Sequence, residues 1–210
     1  MRWGAAVVSF FALRAIVACE TASSTSAESK AGAKGKVAGI EPDLWKCETI
    51  ATLDALTPVL GGAVHPIPSA IAPPHGVPAP CSYVVDTTPQ EQWTFDVYCR
   101  DDYKQQADRL FDEYRKDSDQ LTQRFEAAQK NGGLKNDAGV TYIAPERASD
   151  LAIGAKALDH HGRGLIFIDD DAPCYVRVIG LDALLRVELA KLLAQNLTYA
   201  NAPMAPRPAK

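Results

Sequence analysis

The chain has 210 residues, 47% of them hydrophobic and 23% charged, with 14 Gly, 14 Pro, 5 Cys and a formal net charge of −4. That hydrophobic share excludes a disordered chain and is enough for one domain with a real core. A mildly acidic balance also speaks against nucleic acid as a partner. The one basic cluster, Lys30, Lys34 and Lys36, lies in a Gly/Ala/Ser stretch that reads as solvated linker.

Arg2 precedes an apolar run from Trp3 to Leu13, the right length for a signal h-region and too short to span a bilayer. Ile16-Val17-Ala18-Cys19 comes next. These residues resemble the lipobox of bacterial lipoproteins. The resemblance implies a signal peptide over residues 1–18, cleaved before Cys19. It also implies a diacylglyceryl group on the Cys19 sulfur and an acyl chain such as palmitate on the new amino group. A single acyl chain anchors only marginally, so multiple acylation accounts for stable attachment to membrane lipid. Arg14, between the apolar run and the lipobox, departs from the family pattern. An ordinary secretory signal, giving a secreted or periplasmic protein, is the alternative to a membrane anchor in the cell envelope. Residues 19–40 are rich in Ser, Ala, Gly and Lys and have the composition of a flexible tether.

A single domain is expected over residues 41–200. Leu44, Cys47, Ile50, Ala51 and Leu53 mark one face of a first helix. Thr57-Pro58 reads as an N-cap with an N1 proline, and Gly61-Gly62 as a stop. Residues 63–80 are Pro-rich, denied ladder hydrogen bonds, and expected to be extended surface chain, either a recognition loop or a passive connector. Two strands follow, at 81–85 and 93–99. In the second, Trp93, Phe95, Val97 and Cys99 face one way and Thr94, Asp96 and Tyr98 the other.

A long helix spans 101–130 with Tyr103, Ala107, Leu110, Phe111, Tyr114, Leu121, Phe125 and Ala128 at helical spacing. Strands are then expected at 140–143, 156–159, 164–168 and 174–179. Asp182 can cap a last helix running through Leu184, Leu185, Leu189, Leu192, Leu193 and Leu197. Residues 201–210, with three prolines, are expected to be a loose tail. The order α-β-β-α-β-β-β-β-α implies an α+β fold, an antiparallel sheet with helices packed on one face.

With Cys19 assigned to lipid, Cys47, Cys81, Cys99 and Cys174 remain, an even set that reads as two disulfides in an exported chain. Residue spacing leaves the pairing open. A hairpin register with Tyr83 opposite Val97 would place Cys81 by Cys99 and leave Cys47 for Cys174. Pairing Cys47 with Cys81 and Cys99 with Cys174 is the rival. A zinc site is disfavoured because no two of the four form a close C-x2-C pair.

Cys47, Leu60-Gly61, Cys81-Ser82-Tyr83, Leu151-Ala152-Ile153-Gly154, Leu165-Ile166-Phe167 and the closing Leu/Ala-rich helix resemble the layout of a family of small actinobacterial lipoproteins of unknown function. That resemblance implies the 47–81 and 99–174 pairing. It bears on fold and location more than on activity.

No G-x-S-x-G, H-E-x-x-H, P-loop or dinucleotide fingerprint is present. Asp169-Asp170-Asp171 lacks the EF-hand spacing and reads as an acidic turn. His160-His161 falls in an expected exposed turn. With no catalytic set, no metal ligand set and no cofactor motif, the chain reads as a non-enzymatic binding or interaction module. Its partner would be an envelope protein or a small apolar ligand. The alternative is an envelope hydrolase or metal-dependent enzyme using His160 or His161.

Overall fold

The computed structural model describes residues 37–69, 72–131 and 144–210. The signal segment 1–18, the tether as far as residue 36 with Cys19, and the strand expected at 140–143 lie outside the described residues. The chain forms β1 (Val37–Ala38), a 3-10 turn (Cys47–Thr49), α1 (Leu53–Leu60), β2 (Val64–Ile67), β3 (Cys81–Val85) and β4 (Thr88–Tyr98). It continues through α2 (Tyr103–Lys130), β5 (Ser149–Leu151), β6 (Lys156–His160), β7 (Gly164–Ile168), β8 (Tyr175–Ile179), α3 (Ala183–Asn196) and β9 (Arg207–Pro208). Strands β2 to β8 make one sheet in the order β2-β3-β4-β8-β7-β6-β5, every neighbour antiparallel. The fold is the expected α+β class.

This order follows from one long excursion. The chain leaves the middle of the sheet after β4, re-enters at the far edge as β5, and zigzags back until β8 lies beside β4. The seam between β4 and β8 therefore joins residues far apart in sequence.

Helices cover both faces of the sheet, not one as expected. Leu165 and Phe167 of β7 pack in a cluster that includes Leu56 of α1 and Leu189 and Leu193 of α3. Ile166 and Ile168 project the other way, onto Ala107, Phe111 and Tyr114 of α2. A strand sheathed on both sides has no polar face, so β7 reads as an apolar run rather than an alternation. Burying one such large side chain contributes roughly 1.5–3 kcal/mol, so two apolar faces require two helical layers.

Several elements depart from the sequence reading for local reasons. The first helix does not run from Leu44, which is exposed. Its cap is Thr52, whose hydroxyl accepts the Ala55 N–H at 3.2 Å, and Pro58 lies inside α1 rather than opening it. Gly61 does end it, at φ +75°, a left-handed conformation that favours glycine. In the Pro-rich stretch, Val64-His65-Pro66-Ile67 forms β2 and pairs with β3. An edge strand tolerates Pro66 because one side of its backbone needs no partner strand.

The presumed loose tail is partly built into the fold. Ala202 and Met204 are buried, β9 pairs with β1, and the Trp45 indole donates to the Asn201 carbonyl at 3.0 Å. Val37 and Ala38 thus already belong to the folded domain, ahead of the expected boundary at 41.

The cysteines pair as Cys47–Cys81 and Cys99–Cys174. The register explains why the alternative fails. Cys81 sits opposite Phe95 and Tyr83 opposite Trp93. Cys99 is then four residues further along, about 13 Å at strand rise, beyond the reach of Cys81.

Candidate ligand groove

The outward face of β4 was legible as an alternation, and β8 completes it. Three cross-strand pairs stand side by side: Tyr98 with Tyr175, Asp96 with Arg177, and Thr94 with Ile179. The intervening residues Phe95, Val97, Val176 and Val178 point into the core on the opposite side. Helix α2 packs over the β6, β7 and β8 part of the outward face. The Pro-rich stretch after β2 borders the part around β3 and β4, and a groove of about 630 Å³ lies between.

Its floor is polar. Arg177 donates from Nε to Asp96 Oδ2 at 2.7 Å, and its Nη2 lies 2.6 Å from the same oxygen in an ion pair. Burial opposes the Arg177 charge, but the Asp96 carboxylate and the Tyr114 phenol more than offset it. The Tyr98 and Tyr175 rings stack with centroids 5.0 Å apart, a favourable aromatic separation. Burial pushes the Tyr175 phenol up to about 12, so it stays protonated and able to donate. The Tyr98 hydroxyl donates to Asp102 Oδ1 at 2.8 Å, and burial together with that carboxylate raises its pKa. Asp102 also accepts from Gln106, and these two donors hold its carboxyl below the usual range. Ser82 and Thr94 share a hydrogen bond at 3.1 Å, and the Gln92 amide donates to Thr94. The opposite wall is mostly apolar, formed by Ile67, Pro68, Ala72, Pro73, Pro74, Val77, Pro78 and Pro80 with Ser69 among them.

The histidines singled out in the sequence lie elsewhere. His160 ends β6 and is buried, not in an exposed turn. Its Nδ1 accepts the Gly162 N–H at 3.1 Å, its ring meets Tyr114 edge-on, and its Nε2 lies 3.7 Å from Asp117 Oδ2. That carboxylate is already held by Arg163 Nε at 2.8 Å, and this pairing keeps its pKa low. His161 is exposed, 3.9 Å from Glu146. The two neighbours thus diverge, one into the fold and one into solvent. Neither lines the groove or a second, smaller pocket near His75. His65 pairs with Asp86 at 2.8 Å on the sheet edge. Among the described residues, no three His, Cys, Asp or Glu side chains converge as a metal site would require.

The acidic run forms the turn between β7 and β8. Asp169 Oδ1 accepts the backbone N–H groups of Asp171 and Ala172, at 3.0 and 2.7 Å. Its Oδ2 is buried with no hydrogen-bond partner among the described residues. Burial raises the Asp169 pKa, and the two backbone donors only partly oppose it. A folded-state pKa above the unfolded value gives a stability contribution present below the unfolded carboxylate range. That contribution is lost as pH rises through the folded value. Asp169→Asn keeps the accepting oxygen and removes the buried charge. Its melting temperature is expected to exceed that of the parent protein at pH 7, with the difference closing as pH falls toward 4. A parent that melts higher than the variant at pH 7 would contradict this account.

Arg177 and Tyr175 were missed as site residues, and no local signal could have identified them. Asp96 was placed on the outward face, but its partner is 81 positions away. No family model, curated protein or solved structure matches the chain.

Proposed function

We propose that this chain is a membrane-anchored lipoprotein of the bacterial cell envelope that acts as a non-enzymatic binding module, with its ligand seated in the groove over β4 and β8. The observation that carries this reading is the groove itself. Its volume falls in the range of roughly 300–1,000 Å³ usual for small-molecule sites, and its lining is mostly apolar with a few placed polar groups.

Anchoring rests on Ile16-Val17-Ala18-Cys19 and on the tether composition behind it. Two disulfides suit an oxidising compartment outside the cytoplasm. Palmitate or a similar acyl chain on Cys19 would hold the domain at a membrane, and the residues from Cys19 to the start of β1 would give it reach.

The test is expression of the full chain and of Cys19→Ala in a bacterial host, followed by detergent phase partitioning and intact-mass measurement. The unaltered chain is expected in the detergent phase with the added mass of its acyl groups, and the variant in the aqueous phase. Recovery of both in the aqueous phase, without added mass, would mean plain secretion and would overturn the anchor.

A further inference from the structure

The groove's charges, free hydrogen-bonding groups and walls together restrict what can occupy it. We infer that it takes a small uncharged amphiphile, with a neutral head that both donates and accepts at Asp96 and Tyr175 and an apolar body along the proline wall. This inference rests on the binding reading above and narrows it.

The first observation is charge. Among the described residues that line the groove, only Asp96 and Arg177 are ionic, and they are paired with each other. The Arg177 guanidinium donates from Nε to Asp96 Oδ2 and brings Nη2 to the same oxygen, so the charge pair is closed on one carboxylate oxygen. An anionic ligand would have to draw Arg177 away and leave a half-buried carboxylate without its partner. A cationic ligand would meet Arg177 at close range. Either substitution replaces a satisfied pair with an unsatisfied charge, which is the costly outcome in a partly desolvated site.

The second observation is the hydrogen-bond inventory. Ser82, Thr94 and Gln92 satisfy one another, and Tyr98 is taken by Asp102. Asp96 uses Oδ2 for Arg177, and no hydrogen bond is made to its Oδ1 among the described residues. The Tyr175 hydroxyl likewise makes none among the described residues. The floor thus offers one acceptor and one donor on neighbouring cross-strand pairs. A hydroxyl or carboxamide complements both, an uncharged arylamine supplies the N–H for Asp96, and a carboxylate or ammonium complements only one and brings a charge.

The third observation is the facing wall. Pro73, Pro74, Pro78 and Pro80 have no N–H to give, and Val77 and Ile67 add only carbon surface. The part of the ligand lying there gains by being apolar. A head at the floor and a body at the wall describe an amphiphile.

Two dyes with the same ring system separate the possibilities: neutral N-phenylnaphthylamine and anionic anilinonaphthalene sulfonate. The probe protein is the full chain carrying Cys19→Ser, so that no attached lipid competes. Fluorescence titrations are run on it and on two further variants, Asp96→Asn and Ile179→Lys. The neutral dye is expected to bind about tenfold or more tightly than the sulfonate, because the sulfonate must compete with Asp96. Asp96→Asn releases Arg177 and should raise sulfonate affinity severalfold. Ile179→Lys adds an unpaired cation at a partly exposed position and should narrow or invert the preference without disturbing the fold. It keeps the test decisive if Asp96→Asn does not fold. Equal binding of both dyes to the parent, displaced by neither variant, would overturn charge selection but leave a general apolar binder. Absence of binding by either dye would overturn the groove as a ligand site altogether.

Discussion

Arg186→Ala is expected to destabilise the protein by about 3–5 kcal/mol, the cost of stranding a buried charge partner. Arg186 lies in α3 and is 0% exposed. Its Nε and Nη2 donate to the two Asp159 carboxylate oxygens at 2.9 and 2.8 Å. Its Nη1 donates to the Gly180 carbonyl at 2.7 Å and the Leu181 carbonyl at 3.2 Å. One guanidinium therefore ties β6, the corner leaving β8, and α3 together. Alanine would leave Asp159, itself largely buried, without a counter-charge and two carbonyls without donors. Arg186→Lys keeps the charge but loses the planar fork, so it should recover only part of the loss. The double variant Arg186→Met with Asp159→Leu removes both charges and should be markedly more stable than Arg186→Ala. Urea denaturation of the four proteins measures these differences. A loss below about 1 kcal/mol for Arg186→Ala, the scale of an exposed pair, would contradict the structure.

Removing the Cys99–Cys174 bridge by paired alanine substitution is expected to cost about 4 kcal/mol in the chain-entropy account, for the 75-residue separation it spans. The bridge joins the end of β4 to the residue before β8, across the seam where the two halves of the sheet meet. The Cys47–Cys81 bridge spans 34 residues and ties the 3-10 turn to β3, so its loss should cost slightly less in the same account. Denaturant midpoints of the two paired variants provide the comparison. Peptide mapping without reductant should recover 47 linked to 81 and 99 linked to 174. A fragment linking 81 to 99 would contradict the observed hairpin register.

The elements visible in the sequence are those whose signal is local. Trp93, Phe95 and Val97 against Thr94, Asp96 and Tyr98 declared a half-buried strand, and the structure places them so. Ala107, Phe111 and Tyr114 declared the buried stripe of α2. Asp182 declared the start of α3, where its side chain accepts the Leu185 N–H at 3.0 Å. Leu184, one of the leucines that marked the last helix, is exposed, because a helix rich in Leu all round does not reveal which side meets the sheet. Strand β5, Ser149-Asp150-Leu151, carried no apolar alternation, and β2 was concealed by Pro66.

The candidate groove divides the same way. Asp96 and Tyr98 were legible as outward-facing, and the proline stretch as a loop able to recognise something. Their assembly into one site was not, because it depends on which strand lies beside β4.

By itself the sequence determined the periodic elements, the turns and the α+β class, since each follows from residues within a few positions of one another. The disulfide partners, which residue spacing left open and the family resemblance implied, are fixed in the fold as Cys47–Cys81 and Cys99–Cys174, and tertiary structure alone decided the second helical layer, the burial of Arg186 and the pairing of Asp96 with Arg177. Those depend on strand register and sheet order; Asp96 meets Arg177, and Cys99 meets Cys174, only when β8 returns to close against β4.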